Sequence, residues 1–290
     1  MRIADMLTRP RPSVSFEFMA PRDDSEVEVL ERTVATLAGH APDWVSVTYR
    51  LRTGEKTLEL VTRIKRHYHI EAMAHLTCAN SADRTRQILN WMEREGIANV
   101  LALRGDTQTP GQPFVPADPQ LIHGSDLVAF VRRNGYRFGI GAACSAEKHP
   151  ESPDVDHEFR YMKLKVEAGA DFLITQLFFD NARYVEFVDR ARSWGITVPI
   201  LPGIMPITNY EQIDRFTRQC GATIPPSLRA ELELRKDDPD AIVDLGVAYM
   251  TLQVADLLAR GAPGVHFYTL NRSPATRAVV SALMAARRAW

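Results

Sequence analysis

The chain has 290 residues, of which 45% are hydrophobic and 24% charged, a balance that excludes global disorder and leaves ample material for a core. With 35 basic against 36 acidic residues the formal net charge is -1, so no cationic surplus marks a nucleic-acid partner. The three cysteines, Cys78, Cys144 and Cys220, are odd in number and lack a CxxC pair, which argues against a disulfide framework or zinc cluster and for a reducing cytoplasm.

Met1 to Arg11 alternates charge with single apolar residues and lacks the apolar segment of a secretory signal. The first strand-like run, 13–18, reads Val14-Ser15-Phe16-Glu17-Phe18 and sets a carboxylate between two phenylalanines. Burial raises the pKa of such a group unless something pairs it, and a raised carboxyl is an acid that works near neutral pH. Pairing with a basic neighbour such as Arg22 is the alternative. Val27, Leu30, Val34 and Leu37 then recur at helical spacing, followed by a strand over 43–49 and a second helical stripe of Leu58, Leu60, Val61 and Ile64. The alternation continues with a strand over 71–77, a helix carrying Ile88, Leu89, Trp91 and Met92, and a strand over 98–103. The proline- and polar-rich stretch from Thr107 to Ser125 lacks periodicity and is the best candidate for a mobile loop. Further strands are expected over 137–144, 171–178, 197–203 and 263–269. The last two are separated by a long insert, 207–262, with Pro225, Pro226 and a turn over 236–240, read as extra helices. Gly39, Gly96, Gly169 and Gly195 stand where left-handed helix caps are needed. No apolar stretch reaches 18 uninterrupted residues, so no membrane span is expected.

Apolar strands separated by helices predict a parallel sheet covered on its outside, and eight such units suggest closure into a single (β/α)8 TIM barrel domain over 1–290, with extra helices between strands 7 and 8. In a closed parallel barrel the residues after the strands share one mouth. The set here is Glu17, Thr48, His75, Arg104 with Asp106, His149, Gln176, and Tyr268 with Arg272, polar side chains that one rim could hydrate and aim at a ligand. His75 and His149 read equally well as structural histidines, and no HExxH spacing implies a metal. Gly105 would let backbone approach a planar ring. Exposed apolar helix positions leave homo-oligomerisation open.

The same positions carry a resemblance. Ser15-Phe16-Glu17-Phe18 with Pro21-Arg22, Val45-Ser46-Val47-Thr48-Tyr49, His75-Leu76-Thr77-Cys78, Leu103-Arg104-Gly105-Asp106, His149-Pro150-Glu151, Ile174-Thr175-Gln176-Leu177-Phe178-Phe179, Pro202-Gly203-Ile204-Met205-Pro206 and His266-Phe267-Tyr268-Thr269-Leu270-Asn271-Arg272 resemble, in order, the motifs of the methylenetetrahydrofolate reductase family. The resemblance has its core over 12–272. It implies a cytoplasmic flavoprotein of one-carbon metabolism that binds FAD, oxidises NADH or NADPH, and passes the hydride to 5,10-methylenetetrahydrofolate to give 5-methyltetrahydrofolate, or runs the reverse in the cell. By that resemblance Glu17 is the general acid and Asp106 acts between flavin and pterin. Thr48, His75, Arg104, Gly105, Asp106, Ala143, His149, Glu158 and Lys165 match flavin contacts, while Gln176, Tyr210, Tyr268 and Arg272 match residues that contact the substrates. The sequence departs from the family pattern at Arg50-Leu51-Arg52-Thr53-Gly54, where small residues are usual. It departs again at Ser145 in place of an aromatic, at Glu158 in place of aspartate, and at Tyr161 and Leu164. Two alternatives stand beside this reading: direct hydride transfer without flavin, and a folate- or flavin-binding barrel without turnover.

Overall fold

The computed structural model describes residues 1–49, 54–105, 114–272 and 274–287. Eight parallel strands close a barrel in sequence order: β1 (Ser13–Phe18), β2 (Trp44–Val47), β3 (Glu71–Thr77), β4 (Asn99–Leu103), β5 (Gly139–Cys144), β6 (Phe172–Leu177), β7 (Ile200–Ile204) and β8 (Gly264–Tyr268). Helices α1 (Ile3–Met6), α2 (Asp24–Ala38), α3 (Gly54–Tyr68), α4 (Ala82–Arg94), α5 (Gly124–Arg133), α6 (Val155–Glu167), α7 (Asn181–Ser193), α8 (Tyr210–Cys220), α9 (Pro226–Leu234), α10 (Pro239–Ala259) and α11 (Pro274–Arg287) complete the chain. The (β/α)8 barrel is thus confirmed, with α10 the barrel's own helix between β7 and β8 and α8 and α9 the extra ones. Each expected strand is present with ends shifted by up to three residues.

The strands read as apolar on both faces because both faces are covered. Their outward residues, among them Phe16, Val45, Ala74, Ile140 and Phe267, pack with Leu30, Val34, Leu37, Val61, Ile64, Leu89 and Met92 of the helices. Inside the barrel Trp44, Met73, Leu101, Phe172, Ile174 and Leu201 form a separate core, closed from below by Ile3, Met6 and Leu7. The one-turn helix α1 that supplies this floor is too short for periodicity to announce. Asn99 fixes it, accepting from the Ile3 amide at 2.8 Å and donating to the Met1 carbonyl at 3.0 Å.

Polar caps start the outer helices: Asp23, Ser81, Asp154, Asp180, Asn209 and Asp238 each accept backbone N–H bonds. Of the glycines expected to adopt left-handed caps, Gly96, Gly169 and Gly195 do so, but Gly39 is right-handed at φ -60°. Ala41 takes the positive φ there instead, at 48°. In the Thr107–Ser125 stretch, 107–113 lies outside the described residues. The remainder is anchored, with the Ala117 amide on the Cys78 carbonyl at 3.3 Å and Asp118 accepting from the Ala82 amide at 3.1 Å.

Aspartates interrupt the apolar run of α10. By length and composition alone this helix could cross a membrane. Here it is a component of the barrel's outer layer, with Ile242, Met250, Val254 and Leu257 buried and α7 and α11 alongside.

A bulge interrupts the ladder between β6 and β7: Ile174 pairs with Leu201 and Leu177 with Gly203, so Thr175 and Gln176 together oppose Pro202. Proline has no N–H to give the ladder, and an extra residue on the neighbouring strand absorbs the defect. Thr175 Oγ1 then accepts from the Gly203 amide at 2.9 Å, while the Thr175 carbonyl accepts the Tyr268 hydroxyl at 2.6 Å. The Tyr268 ring lies where a Gly203 side chain would be. A Cβ on Gly203 would stand 2.6 Å from the ring, so only glycine admits the tyrosine.

Candidate active site

At the upper end of the barrel the inward face changes character. Pairing of β1 with β2 and β8 sets Glu17 beside Ser46 and Tyr268, and Ser15 beside Trp44 and His266. Glu17 Oε2 lies 3.4 Å from His75 Nε2 and 3.5 Å from His266 Nε2. The carboxylate side chain is 15% exposed, the two imidazoles 5% and 0%, so Glu17 stands at the boundary between the mouth and a buried pair of histidines. His266 also contacts Ser15 Oγ through Nδ1 at 2.8 Å and Ser46 Oγ through Nε2 at 3.3 Å. His75 Nε2, although close to Glu17, makes no hydrogen bond among the described residues.

Burial pushes the Glu17 carboxyl up, whereas charge on His75 and hydrogen bonding from His266 and Ser46 pull it down, and the balance falls below the ordinary carboxylate value. Pairing therefore reverses the raised pKa expected from the flanking phenylalanines. The partners are two imidazoles and not Arg22, which bonds Glu26 with Nε at 2.7 Å from Oε1. Burial also drives His75 down to about 4, with Glu17 opposing the shift and His266 adding to it. Burial and the Glu17 charge hold the Tyr268 phenol well above 10.

Backbone clamps fix the end of β1. The Glu17 carbonyl accepts from Thr269 Oγ1 at 2.6 Å and from the Thr269 amide at 3.2 Å. Asn271 grips Met19 from both sides, accepting from its amide at 2.8 Å and donating to its carbonyl at 2.9 Å.

The other expected residues divide into three groups. Gln176 and Tyr268 share the mouth with Glu17 and His75; the Gln176 side chain is half-buried and makes no hydrogen bond among the described residues. Thr48 is near the end of β1, its hydroxyl accepting from the Ala20 amide at 3.1 Å. Around the ends of β4 and β5, Arg104 makes a two-bond ion pair with Glu151, one bond of 3.1 Å, and its guanidinium lies 5.4 Å from the Phe114 ring centre. His149 Nδ1 accepts from the Glu151 amide at 3.2 Å, Glu158 accepts from Ser152, and Lys165 donates to the Ala143 carbonyl at 2.8 Å. Burial lowers the Lys165 pKa. Gly105 has φ +94°, and a Cβ there would stand 3.1 Å from that of Thr77. Apart from these, Tyr210 bonds Glu233 at 3.1 Å within the insert, and Arg272 is exposed beyond β8. Asp106, and Arg50 to Thr53 among the departures, lie outside the described residues. Ser145 is buried, Tyr161 packs edge-on against His123, and Leu164 is exposed.

Sequence reasoning missed His266, Ser46, Ser15 and the Thr269–Asn271 clamp. For His266 a signal existed: it precedes Tyr268 by two residues in a strand, which puts both on one face.

These features define a parallel barrel with a titratable cluster at the C-terminal ends of its strands, where enzymes of this architecture carry their sites. The chain belongs to the methylenetetrahydrofolate reductase family, whose sequence profile matches residues 2–284. It is 35% identical over 283 residues to methylenetetrahydrofolate reductase (NADH) 1 of Arabidopsis thaliana, covering 93% of this chain and 48% of the plant protein. It is also 35% identical over 275 residues to 5,10-methylenetetrahydrofolate reductase of Escherichia coli (strain K12), covering 93% of this chain and 90% of the bacterial one. The chain thus spans about half the length of the plant relatives and nearly all of the bacterial one. Among solved structures, an uncharacterised protein from Clostridium thermocellum that binds two copies of 5-methyl-5,6,7,8-tetrahydrofolic acid superposes with a TM-score of 0.65 at 14% identity, over all of both chains. A 2,3-dimethylmalate lyase superposes with a TM-score of 0.55 at 12% identity, over 99% of this chain and 85% of the lyase. Both likenesses concern the fold.

Proposed function

We propose that this chain reduces 5,10-methylenetetrahydrofolate to 5-methyltetrahydrofolate with a hydride drawn from NADH or NADPH. The observation that carries the reading is Glu17, a largely buried carboxyl group over two histidines at the barrel mouth of a chain in this family. The folate's five-membered ring must open to an iminium before its carbon accepts hydride, and a carboxylic acid that protonates the leaving ring nitrogen lowers that barrier. Glu17 is that acid. Gln176, with donor and acceptor atoms uncommitted among the described residues, suits the amide-like edge of a pterin. Tyr268 has spent its hydroxyl on the Thr175 carbonyl and offers its ring. Arg272, exposed past β8, would hold the glutamate carboxylates of the substrate, and Tyr210 would present its ring to a nucleotide base. Asp106 keeps the role assigned by family resemblance, beside the pterin.

FAD, held by Thr48, His75, Arg104, Gly105, Ala143, His149, Glu158 and Lys165, would relay the hydride between nicotinamide and folate. The fit at the ring end rests on the buried, unbonded Nε2 of His75 and on the side-chain-free backbone at Gly105. A specific observation favours the second reading, direct transfer from nicotinamide to folate: Arg104 is bonded to Glu151 and Lys165 to the Ala143 carbonyl, so the two cations that would neutralise a diphosphate are both engaged. A visible spectrum of the purified protein, followed by turnover with and without added FAD, separates the two. Flavin bands that bleach with NADH support the relay. A colourless protein whose activity ignores FAD supports direct transfer, and a protein that reduces no methylenetetrahydrofolate under either condition ends the proposal.

A further inference from the structure

His266 is wholly buried in β8, its ring stacked on Trp44 with centres 4.8 Å apart and planes 14° from parallel. Its two nitrogens meet different chemistry. Nδ1 lies 2.8 Å from Ser15 Oγ, and that hydroxyl lies 3.1 Å from the Val265 carbonyl oxygen. A serine has one proton to donate and a carbonyl can only accept, so the Ser15 proton goes to Val265 and its lone pair receives Nδ1–H. A neutral imidazole protonated at Nδ1 has a bare lone pair at Nε2. That nitrogen faces Ser46 Oγ at 3.3 Å, whose single proton goes to Glu17, and Glu17 Oε2 at 3.5 Å. A carboxylate has nothing to give such a lone pair. A protonated carboxyl completes the bond.

We infer that His266 is a positioning residue for the proton on Glu17: Ser15 holds the ring in its Nδ1–H form, and the buried Nε2 lone pair can accept from the carboxylic acid but not from the carboxylate. This rests on the reading of Glu17 as the general acid and adds the device that keeps it charged with a proton. Hydrogen bonding to the neutral form of an acid disfavours its ionisation. His266 pulls Glu17 toward the carboxylate only as the opposite tautomer, Nε2–H; as Nδ1–H it leaves burial opposed by the Ser46 hydrogen bond and, below about pH 4, by charge on His75. The remaining groups that face Glu17 from the neighbouring strands are Ser46 on β2, His75 on β3 and Tyr268 on β8. Ser46 is uncharged, His75 is neutral above about pH 4, and the Tyr268 phenol stays protonated. One proton leaves Glu17 in each turnover, ends on the released ring nitrogen of the folate, and is replaced from water at the mouth.

The tautomer is read directly from two-bond 1H–15N correlations of the full chain labelled with 15N-histidine. Of its eight histidines, His266 is the one whose signals vanish in His266→Asn. If that variant does not fold, it is the one displaced most in Ser15→Ala. The expected pattern is Nδ1–H with a bare Nε2; an Nε2–H pattern overturns the inference. Turnover gives the second arm. Folate reduction falls as pH rises through Glu17 ionisation, and Ser15→Ala is expected to move that fall downward by about one pH unit, a roughly tenfold lower rate above it, with KM for folate changed less than about twofold. An unmoved profile also overturns the inference. Should the wild-type chain reduce no methylenetetrahydrofolate, the functional reading fails, and the tautomer measurement still decides the role of His266.

Discussion

The lower and upper halves of the barrel interior are built from the same strands yet obey different rules. Below, Trp44, Met73, Leu101, Phe172 and Leu201 fill the ring and α1 seals it. Two residues further along β2 and β3 stand Ser46 and His75, and Glu17 of β1 pairs across to Ser46 and to Tyr268 of β8, so polar side chains take over from apolar ones. Burying an unpartnered polar group costs roughly 1–3 kcal/mol; among the described residues His75 Nε2 is such a group above and Trp44 Nε1 is one below, but only the lower half offsets the cost with a closely packed apolar cluster. The division teaches where to expect each kind of damage: changes below should unfold the protein, whereas changes above should stop its chemistry.

The largest effect belongs to the lower half. Trp44 is fully buried, packs its ring 6.1 Å from that of Phe172, and stacks under His266. Trp44→Ala removes the barrel's largest internal side chain and is expected to cost about 3–5 kcal/mol, measured by chemical denaturation. A loss below about 1 kcal/mol would break the comparison, because the floor would then not be what holds the ring together.

Glu17→Gln tests the other side. It keeps the shape and removes the acid, so folate reduction should slow by about 10²-fold or more, while oxidation of the nicotinamide by an added electron acceptor stays largely intact. The denaturation midpoint should not fall, since polar groups kept for function are commonly held at a cost to stability. Equal losses in both half-reactions would count against the general-acid role.

Acidification probes the boundary between the halves. His75 is held near 4 in the folded chain against 6.5 when exposed. Between those values the unfolded chain binds the proton and the folded chain does not, so stability is complete above about pH 6.5 and is lost as pH falls toward 4. The gap corresponds to roughly 3 kcal/mol at its limit. His75→Asn should flatten this part of a stability-versus-pH curve; a curve of unchanged slope would show that other groups govern it.

The sequence made one half of this picture far more legible than the other. Strand and helix order followed from apolar periodicity, because a barrel covered on both faces leaves continuous runs such as those around Val45 and Leu173. Glu17 was legible as a carboxylate between phenylalanines, but its pairing was not. Its partners lie 58 and 249 residues away and meet it only through ring closure. The bulge at Thr175–Gln176 was hidden for a similar reason, since its cause, Pro202, sits on the next strand. Ala41 in place of Gly39 shows the opposite failure, a local rule overridden by where the chain must turn.

The smallest effect expected concerns the clamp that ties the upper half to the closing strand. Asn271 has φ 57°, a left-handed conformation that asparagine tolerates better than alanine, and its side chain makes both hydrogen bonds to Met19. Its own carbonyl accepts from Thr33 on α2 at 3.1 Å, so the turn after β8 is joined to α2 as well as to the end of β1. Asn271→Ala loses two hydrogen bonds worth about 1 kcal/mol each and adds backbone strain, so the loss in denaturation should exceed about 2 kcal/mol. Asn271→Gly relieves the strain but not the lost bonds. If the clamp also aims Glu17, both variants should lower kcat for folate reduction by about tenfold, because a carboxyl displaced by a fraction of an ångström delivers its proton less often. If alanine alone were slow, backbone strain rather than the grip on Met19 would be what positions the end of β1.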